Sequence, residues 1–298
     1  AFLKLNWFER FIGQDDQVAL MNEFSRFTKS LSQYSQHGLI QSCSSVIPSL
    51  TWARSVFPDL SEEEALTKLT QQLVKAARCD QADYLDQCRY HYADLTIKVV
   101  TLNKKAIQKL TFKSKTCDLT IGLNPDHVWV GGPQYARSIR YLPNFPTQEV
   151  FTANSKHQVD GWFNITRPFR FGDQLITDLR LDIQNGEVIK ITSLENIEAF
   201  KAHLFEEKSR RYFGEIALVD QDNPIAKLES VFNCVLLDEN AVCHIALGSS
   251  YPVCSSAYDQ DKQEDLVNHS DLHLDLMIGS DDLIINGYDG NEWFLMNR

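Results

Sequence analysis

No stretch of the 298-residue chain approaches the roughly 20 consecutive apolar residues that a membrane-spanning helix needs. Runs of lysine or arginine are also missing, and 29 basic against 40 acidic side chains leave a formal charge of -11 and a pI near 5.2. That balance excludes the basic footprint of a nucleic-acid binder and leaves small, polar or basic partners. The seven cysteines, Cys43, Cys79, Cys88, Cys117, Cys234, Cys243 and Cys254, include no CxxC and no paired cluster. Their irregular spacing argues against a disulfide framework and against a thiolate zinc site. Repeats, low-complexity tracts and disordered linkers are likewise missing. Ala1-Phe2-Leu3-Lys4 is too short and too mixed for a secretory signal. The expected location is therefore cytoplasmic, and the sequons Asn164-Ile165-Thr166 and Asn268-His269-Ser270 read as chance.

What is present suits a globular enzyme: 43% hydrophobic and 11% aromatic residues can bury the core of one large domain or two modest ones. The first hundred or so residues read as mainly helical. Ser61-Glu62-Glu63-Glu64 is a capping box, after which Leu66, Leu69, Leu73 and Ala77 recur on one helical face. From about Lys105 the pattern changes to short alternating runs, which places a boundary between a helical segment, residues 1–104, and a second unit, residues 105–298. Leu110–Lys113 and Cys117–Ile121 read as paired strands, and Asn185-Gly186 as a hairpin turn between Leu179–Ile183 and Val188–Ile191. A helix is expected from about Leu194 to Arg211, ended by Gly214, then strands at Glu215–Val219 and Val231–Leu237. Asp238 is expected to cap a short helix running through His244, and Asn286-Gly287 to form a turn after a strand at Leu283–Ile285. The fold class is mixed α/β with a mixed sheet.

Polar residues in apolar strands are the candidate chemistry. In Leu272–Leu276, His273 and Asp275 share one face of a strand while Leu272, Leu274 and Leu276 take the other. The plain alternative is a half-exposed strand with an ordinary polar side. Glu215 opens an apolar strand just after a glycine, where a buried carboxylate costs several kcal/mol unless paired or bound to a cation. Glu149 follows two prolines in Leu142–Phe151, and Tyr251 sits in a turn-rich segment. Glu239, five residues before His244 on the expected helix, points about 140° away and reads as a capping or supporting group. If Glu149, Glu215, His244, His273 and Asp275 converge, three carboxylates and two imidazoles suit two divalent ions such as zinc, cobalt or manganese.

The blocks LPNFPTQEVF (142–151), GEIALVD (214–220), DENAVCHIALGSSY (238–251) and HLDLMIGS (273–280) resemble the signature segments of the thermophilic-type metallo-aminopeptidases, the family of aminopeptidase T, aminopeptidase S and PepS. Trp52–Pro58 and Leu110–Leu123 are similar to that family as well. The resemblance implies homodimers that use two divalent ions, zinc, cobalt, manganese or magnesium, to remove N-terminal residues from peptides. It implies Glu149, Glu215, His244, His273 and Asp275 as metal ligands, with Tyr251 as a ligand or oxyanion donor and Glu149 or Glu215 as proton shuttle. It further implies that an N-terminal α/β domain is lacking here, and that the segment from Tyr251 to His273 is short and unusually acidic. Substrates would be peptides with a free N-terminus, with no nucleic acid or membrane as partner. Two alternatives stand beside this: another dinuclear metal hydrolase, such as an amidase, and an inactive interaction module.

Overall fold

The computed structural model describes residues 34–35, 39–172, 174–256, 266–291 and 293–297. None of the described helices is long and apolar enough to cross a membrane. Three helices come first: α1 (Leu50–Val56), α2 (Glu62–Ala76) and α3 (Tyr84–Lys104). The expected capping box starts α2: Ser61 Oγ accepts from Glu64 N, and the Glu64 carboxylate accepts from Ser61 N. Its apolar stripe, Ala65, Leu69, Leu73 and Ala76, packs with Ala53 of α1 against Ile225, Phe232, Leu237 and Ala241. The indole of Trp52 donates to the Phe232 carbonyl at 2.6 Å. The helical segment is thus seated on the stretch of chain just before His244.

Two large sheets follow, each antiparallel throughout, beside three two-stranded ones among the described residues, of which Ser44–Ser45 with Asn144–Phe145 is parallel. The larger has seven strands in the order Glu187–Thr192, Arg180–Gln184, Asn154–Asn164, Cys117–Leu123, Lys109–Ser114, Ile284–Tyr288, Trp293–Asn297. The smaller has five, in the order His273–Met277, His244–Gly248, Phe213–Val219, Glu149–Thr152, Val130–Gly131. Phe112, Leu119, Val159 and Phe163 of the first share one core with Val150, Ile216, Ile245, Leu247 and Leu276 of the second. Burying such side chains is the main favourable contribution to folding, roughly 1.5–3 kcal/mol for each large one. The hairpin at Asn185-Gly186 forms as expected, with φ of 52° and 80°. A Cβ on Gly186 would lie 1.7 Å from the Lys156 carbonyl oxygen, so the turn admits only glycine there.

Tertiary pairing overrides local expectation in four places. His244 lies on no helix: it opens the strand His244–Gly248, paired with Ala217 on one side and Met277 on the other. Val231–Leu237 is not a strand, because the buried Asp238 carboxylate accepts from the backbone N–H of Phe232 (2.8 Å) and Cys234 (3.0 Å) and folds the chain back into a short helix, Val235–Asp238. The helix expected at 194–211 is shorter, Glu198–Glu206 with a 3-10 turn at Lys208–Arg211, and Gly214 lies inside the next strand rather than ending a helix. A Cβ there would sit 2.5 Å from the backbone at Ser249 and Ser250, so close strand approach explains the glycine. Asn286 and Gly287 form no turn, since both pair within the large sheet, with Thr111 and Leu110.

Candidate metal centre

Register in the five-stranded sheet decides which side chains meet. Directly opposed residues share a face, and the pairs are Val219 with Glu149, Ala217 with His244, Ala246 with Glu215 and Asp275, and Gly248 with His273. Alternation then places Glu149, Glu215, His244, His273 and Asp275 on one face of four neighbouring strands. Val150, Ile216, Ile245, Leu274 and Leu276 take the opposite face and enter or pack against the core. Between the polar residues the same face carries Ala217, Ala246 and Gly248, whose small side chains leave room for a cavity of about 160 Å3. Tyr251 leans over it, its ring 4.5 Å from that of His273 and 6.0 Å from that of Phe151.

Within the cavity His244 Nε2 lies 3.3 Å from Glu149 and 3.7 Å from Glu215. His273 Nε2 lies 3.5 Å from Asp275 and 3.9 Å from Glu215. Two groups of possible ligand atoms result, Glu149-Glu215-His244 and Glu215-His273-Asp275, and Glu215 belongs to both. Each imidazole is aimed from behind: His273 Nδ1 donates to the Ser249 carbonyl at 2.8 Å and His244 Nδ1 to the Val242 carbonyl at 3.2 Å. That arrangement fixes the tautomer and turns a basic Nε2 toward the acids, as ligating histidines require.

Glu239 is the residue that sequence reasoning set aside. Because His244 starts a strand and Glu239 opens the preceding 3-10 turn, Glu239–Ala241, the helical 140° separation does not apply, and both line the same cavity. The signal lay in the sequence as an acid within a block destined for burial, but it was assigned to a helix that does not form.

Electrostatics confirm how crowded the acids are. Burial, reinforced by the charges of Glu149 and Asp275, pushes Glu239 well above the carboxylate range. Its carboxyl therefore holds the proton in its hydrogen bond with Asp275; burial would raise Asp275, but the charge and hydrogen bond of His273, the charge of His244 and the Glu239 hydrogen bond together draw it down to about 2. Burial also raises Glu215, against the opposing effect of His244. Burial alone would lower both imidazoles, yet the neighbouring carboxylates hold His273 up at about 9 and His244 well above its ordinary value. Burial and the same acids keep the Tyr251 phenol protonated.

The strand carrying Glu149 is pinned by residues from outside the sheet. Asn240, fully buried beside Glu239, accepts from Gln148 N at 2.6 Å. Arg78 donates to Gln148 Oε1 at 2.8 Å and to His91 Nδ1 at 3.2 Å, which leaves His91 Nε2 to donate to the Thr147 carbonyl at 2.7 Å. Burial and the Arg78 charge, opposed by the Thr147 carbonyl, depress His91 to about 4. Its unfolded value is near 6.5, so between those limits the unfolded chain binds more protons and stability falls as the pH drops. The thermal midpoint of the wild type should decline more steeply from pH 6.5 to 4 than that of His91→Gln, and parallel curves would remove His91 from the acid response.

An antiparallel sheet that gathers four carboxylates and two oriented imidazoles around one cavity defines a protein built to hold cations. The profile of the thermophilic metalloprotease (M29) family matches residues 12–298, and the chain belongs to that family. It is 37% identical over 254 residues to aminopeptidase T of Thermus aquaticus, covering 83% of this chain and 62% of that protein. It is 36% identical over 241 residues to aminopeptidase AmpS of Bacillus subtilis, covering 79% and 59% respectively. Among solved structures, wild-type AmpT from Thermus thermophilus superposes with a TM-score of 0.85 at 31% identity, over 92% of this chain and 68% of that one. The chain thus spans about three fifths of the curated relatives it matches.

Proposed function

We propose that this chain carries the catalytic centre of a metal-dependent aminopeptidase that hydrolyses the N-terminal residue from cytoplasmic peptides. The observation that carries the reading is Glu215: one buried carboxylate common to two ligand groups, with its Oε2 lacking any hydrogen-bond partner. A buried anion left so is costly, and cations held by the two ligand groups would remove that cost. The donor set also fits: oxygen-rich, with two imidazoles and no thiolate. Glu149, Glu215, His244, His273 and Asp275 would hold two ions, with Glu239 at the margin of the same set. Ions so held supply Lewis-acid polarisation of a peptide carbonyl and activation of water.

The chain's own groups do the rest. Tyr251, kept neutral, presents an O–H that can donate to the developing carbonyl oxyanion. Glu149 or Glu215 can take the proton of the attacking water and return it to the leaving amine. The acidic cavity attracts the substrate's free ammonium, which sets cleavage at the N-terminal end. In this reading residues 105–298 form the catalytic unit, the preceding helices brace it, and two chains assemble as a homodimer. Aminoacyl-nitroanilides with a free α-amine should be cleaved, whereas their N-acetylated counterparts should not. Equal cleavage of both would make the protein a general amidase, and cleavage of neither would leave an interaction module.

A further inference from the structure

Cys79 and Cys88 stand far enough apart in sequence to suggest no motif, but the fold brings their sulfurs together. Helix α2 ends at Ala76, and Arg78 reverses the chain with a φ of 57°. The Cys79 thiol then turns back to the Ala77 carbonyl oxygen at 3.3 Å. From the second turn of α3, Cys88 reaches the same oxygen at 3.5 Å, so the two thiols converge on one acceptor. Both are half-buried, whereas Cys117, Cys234, Cys243 and Cys254 are buried and Cys43 is exposed. Cys88 also lines an open, largely apolar cavity of about 450 Å3, bordered by Tyr92, Tyr141, Arg89 and Arg140. A small molecule can therefore reach one sulfur of the pair while the other waits behind it.

We propose that Cys79 and Cys88 form a reversible dithiol–disulfide pair, addressed through this cavity by a low-molecular-weight disulfide. In the first step the Cys88 thiol gives its proton to solvent, and the thiolate attacks one sulfur of the small disulfide. A mixed disulfide forms and one small thiolate leaves. Cys79, likewise deprotonated, then attacks the Cys88 sulfur, closes the Cys79–Cys88 bond and expels the second small thiolate. Two protein thiols are oxidised and one small disulfide is reduced to two thiols, so electrons and protons balance. Convergence of both thiols on the Ala77 carbonyl places the second sulfur near the first for that second step. The bridge would tie the linker just after Arg78 to α3, beside the guanidinium that holds Gln148 next to Glu149.

The test uses the purified protein equilibrated with graded mixtures of oxidised and reduced glutathione, trapped by rapid alkylation and mapped by mass spectrometry. The expected product is an intrachain Cys79–Cys88 bridge, lost again on adding dithiothreitol, with the buried thiols unmodified. Cys79→Ser should stop the reaction at a glutathione adduct on Cys88, and Cys88→Ser should leave Cys79 largely unreacted. Far-UV circular dichroism of both variants confirms that they retain the fold. Adducts that accumulate on Cys88 of the wild type without bridge closure, or reaction confined to Cys43, would overturn the proposal.

Discussion

Glu215→Gln should lower hydrolysis of aminoacyl-nitroanilides by roughly 10³-fold or more while leaving the protein folded. The substitution keeps the shape of the side chain and its place beside Ala246 in the sheet. It replaces an anion by a neutral amide at the position both ligand groups share, so either ion would lose a charged donor. Among the described residues no other acid has this double role: Glu149 belongs to one group, and Asp275 to the other. The amide also removes a buried charge whose Oε2 has no hydrogen-bond partner. The thermal midpoint measured without metal should therefore hold or rise as activity collapses. Activity within tenfold of wild type would take Glu215 out of the centre. A collapse of both activity and fold in Glu215→Gln would show a structural role instead.

Chelation is expected to have the second-largest effect, and on two observables. Dialysis against a strong chelator should remove close to two ions per chain, abolish hydrolysis and lower the unfolding midpoint, with all three restored by re-adding a divalent metal. The physical reason is charge. Among the described residues, Glu149, Glu215, Glu239 and Asp275 line one cavity with His244 and His273, and no lysine or arginine borders it. Even two protonated imidazoles cannot balance four acids, so the emptied centre must keep a proton on Glu239 and tolerate repulsion. An ion pair that binds only the folded chain adds about 2.7 kcal/mol of stability at a hundredfold excess over its dissociation constant. For a chain of this size that corresponds to a midpoint shift on the order of 5 °C. Full activity and an unchanged midpoint in a protein with no measurable metal would end the metal-centre reading.

Comparison of the cavity with the strands that build it shows how much could be read in advance. Strand alternation alone separated His273 and Asp275 from Leu272, Leu274 and Leu276, and the structure keeps that separation. An acid opening an apolar strand marked Glu215, and the two preceding prolines marked Glu149. Glu239 was missed because Asp238 looked like a helix cap; the folded chain uses its carboxylate to satisfy Phe232 and Cys234 instead. Part of the segment between Tyr251 and His273, residues 257–265, lies outside the described residues, as do residues 1–33. Asn268 of the second sequon is fully buried, its amide donating to the Ser209 and Gly248 carbonyls at 2.7 Å each, which accounts for that asparagine as a structural element.

The sequence by itself determined the periods: a capped amphipathic α2, the Asn185-Gly186 hairpin, and strands with one apolar and one polar side. These are local properties, set by backbone geometry and by which side chains avoid water. Register was decided only in three dimensions. Whether His244 stands opposite Ala217, and Asp275 opposite Ala246, depends on how four strands distant in the chain pair, and a one-residue slip would turn each set to the other face. The apolar face fixes that register against the core shared with the larger sheet, and in doing so it gathers four polar residues, Glu149, His244, His273 and Asp275, around Glu215.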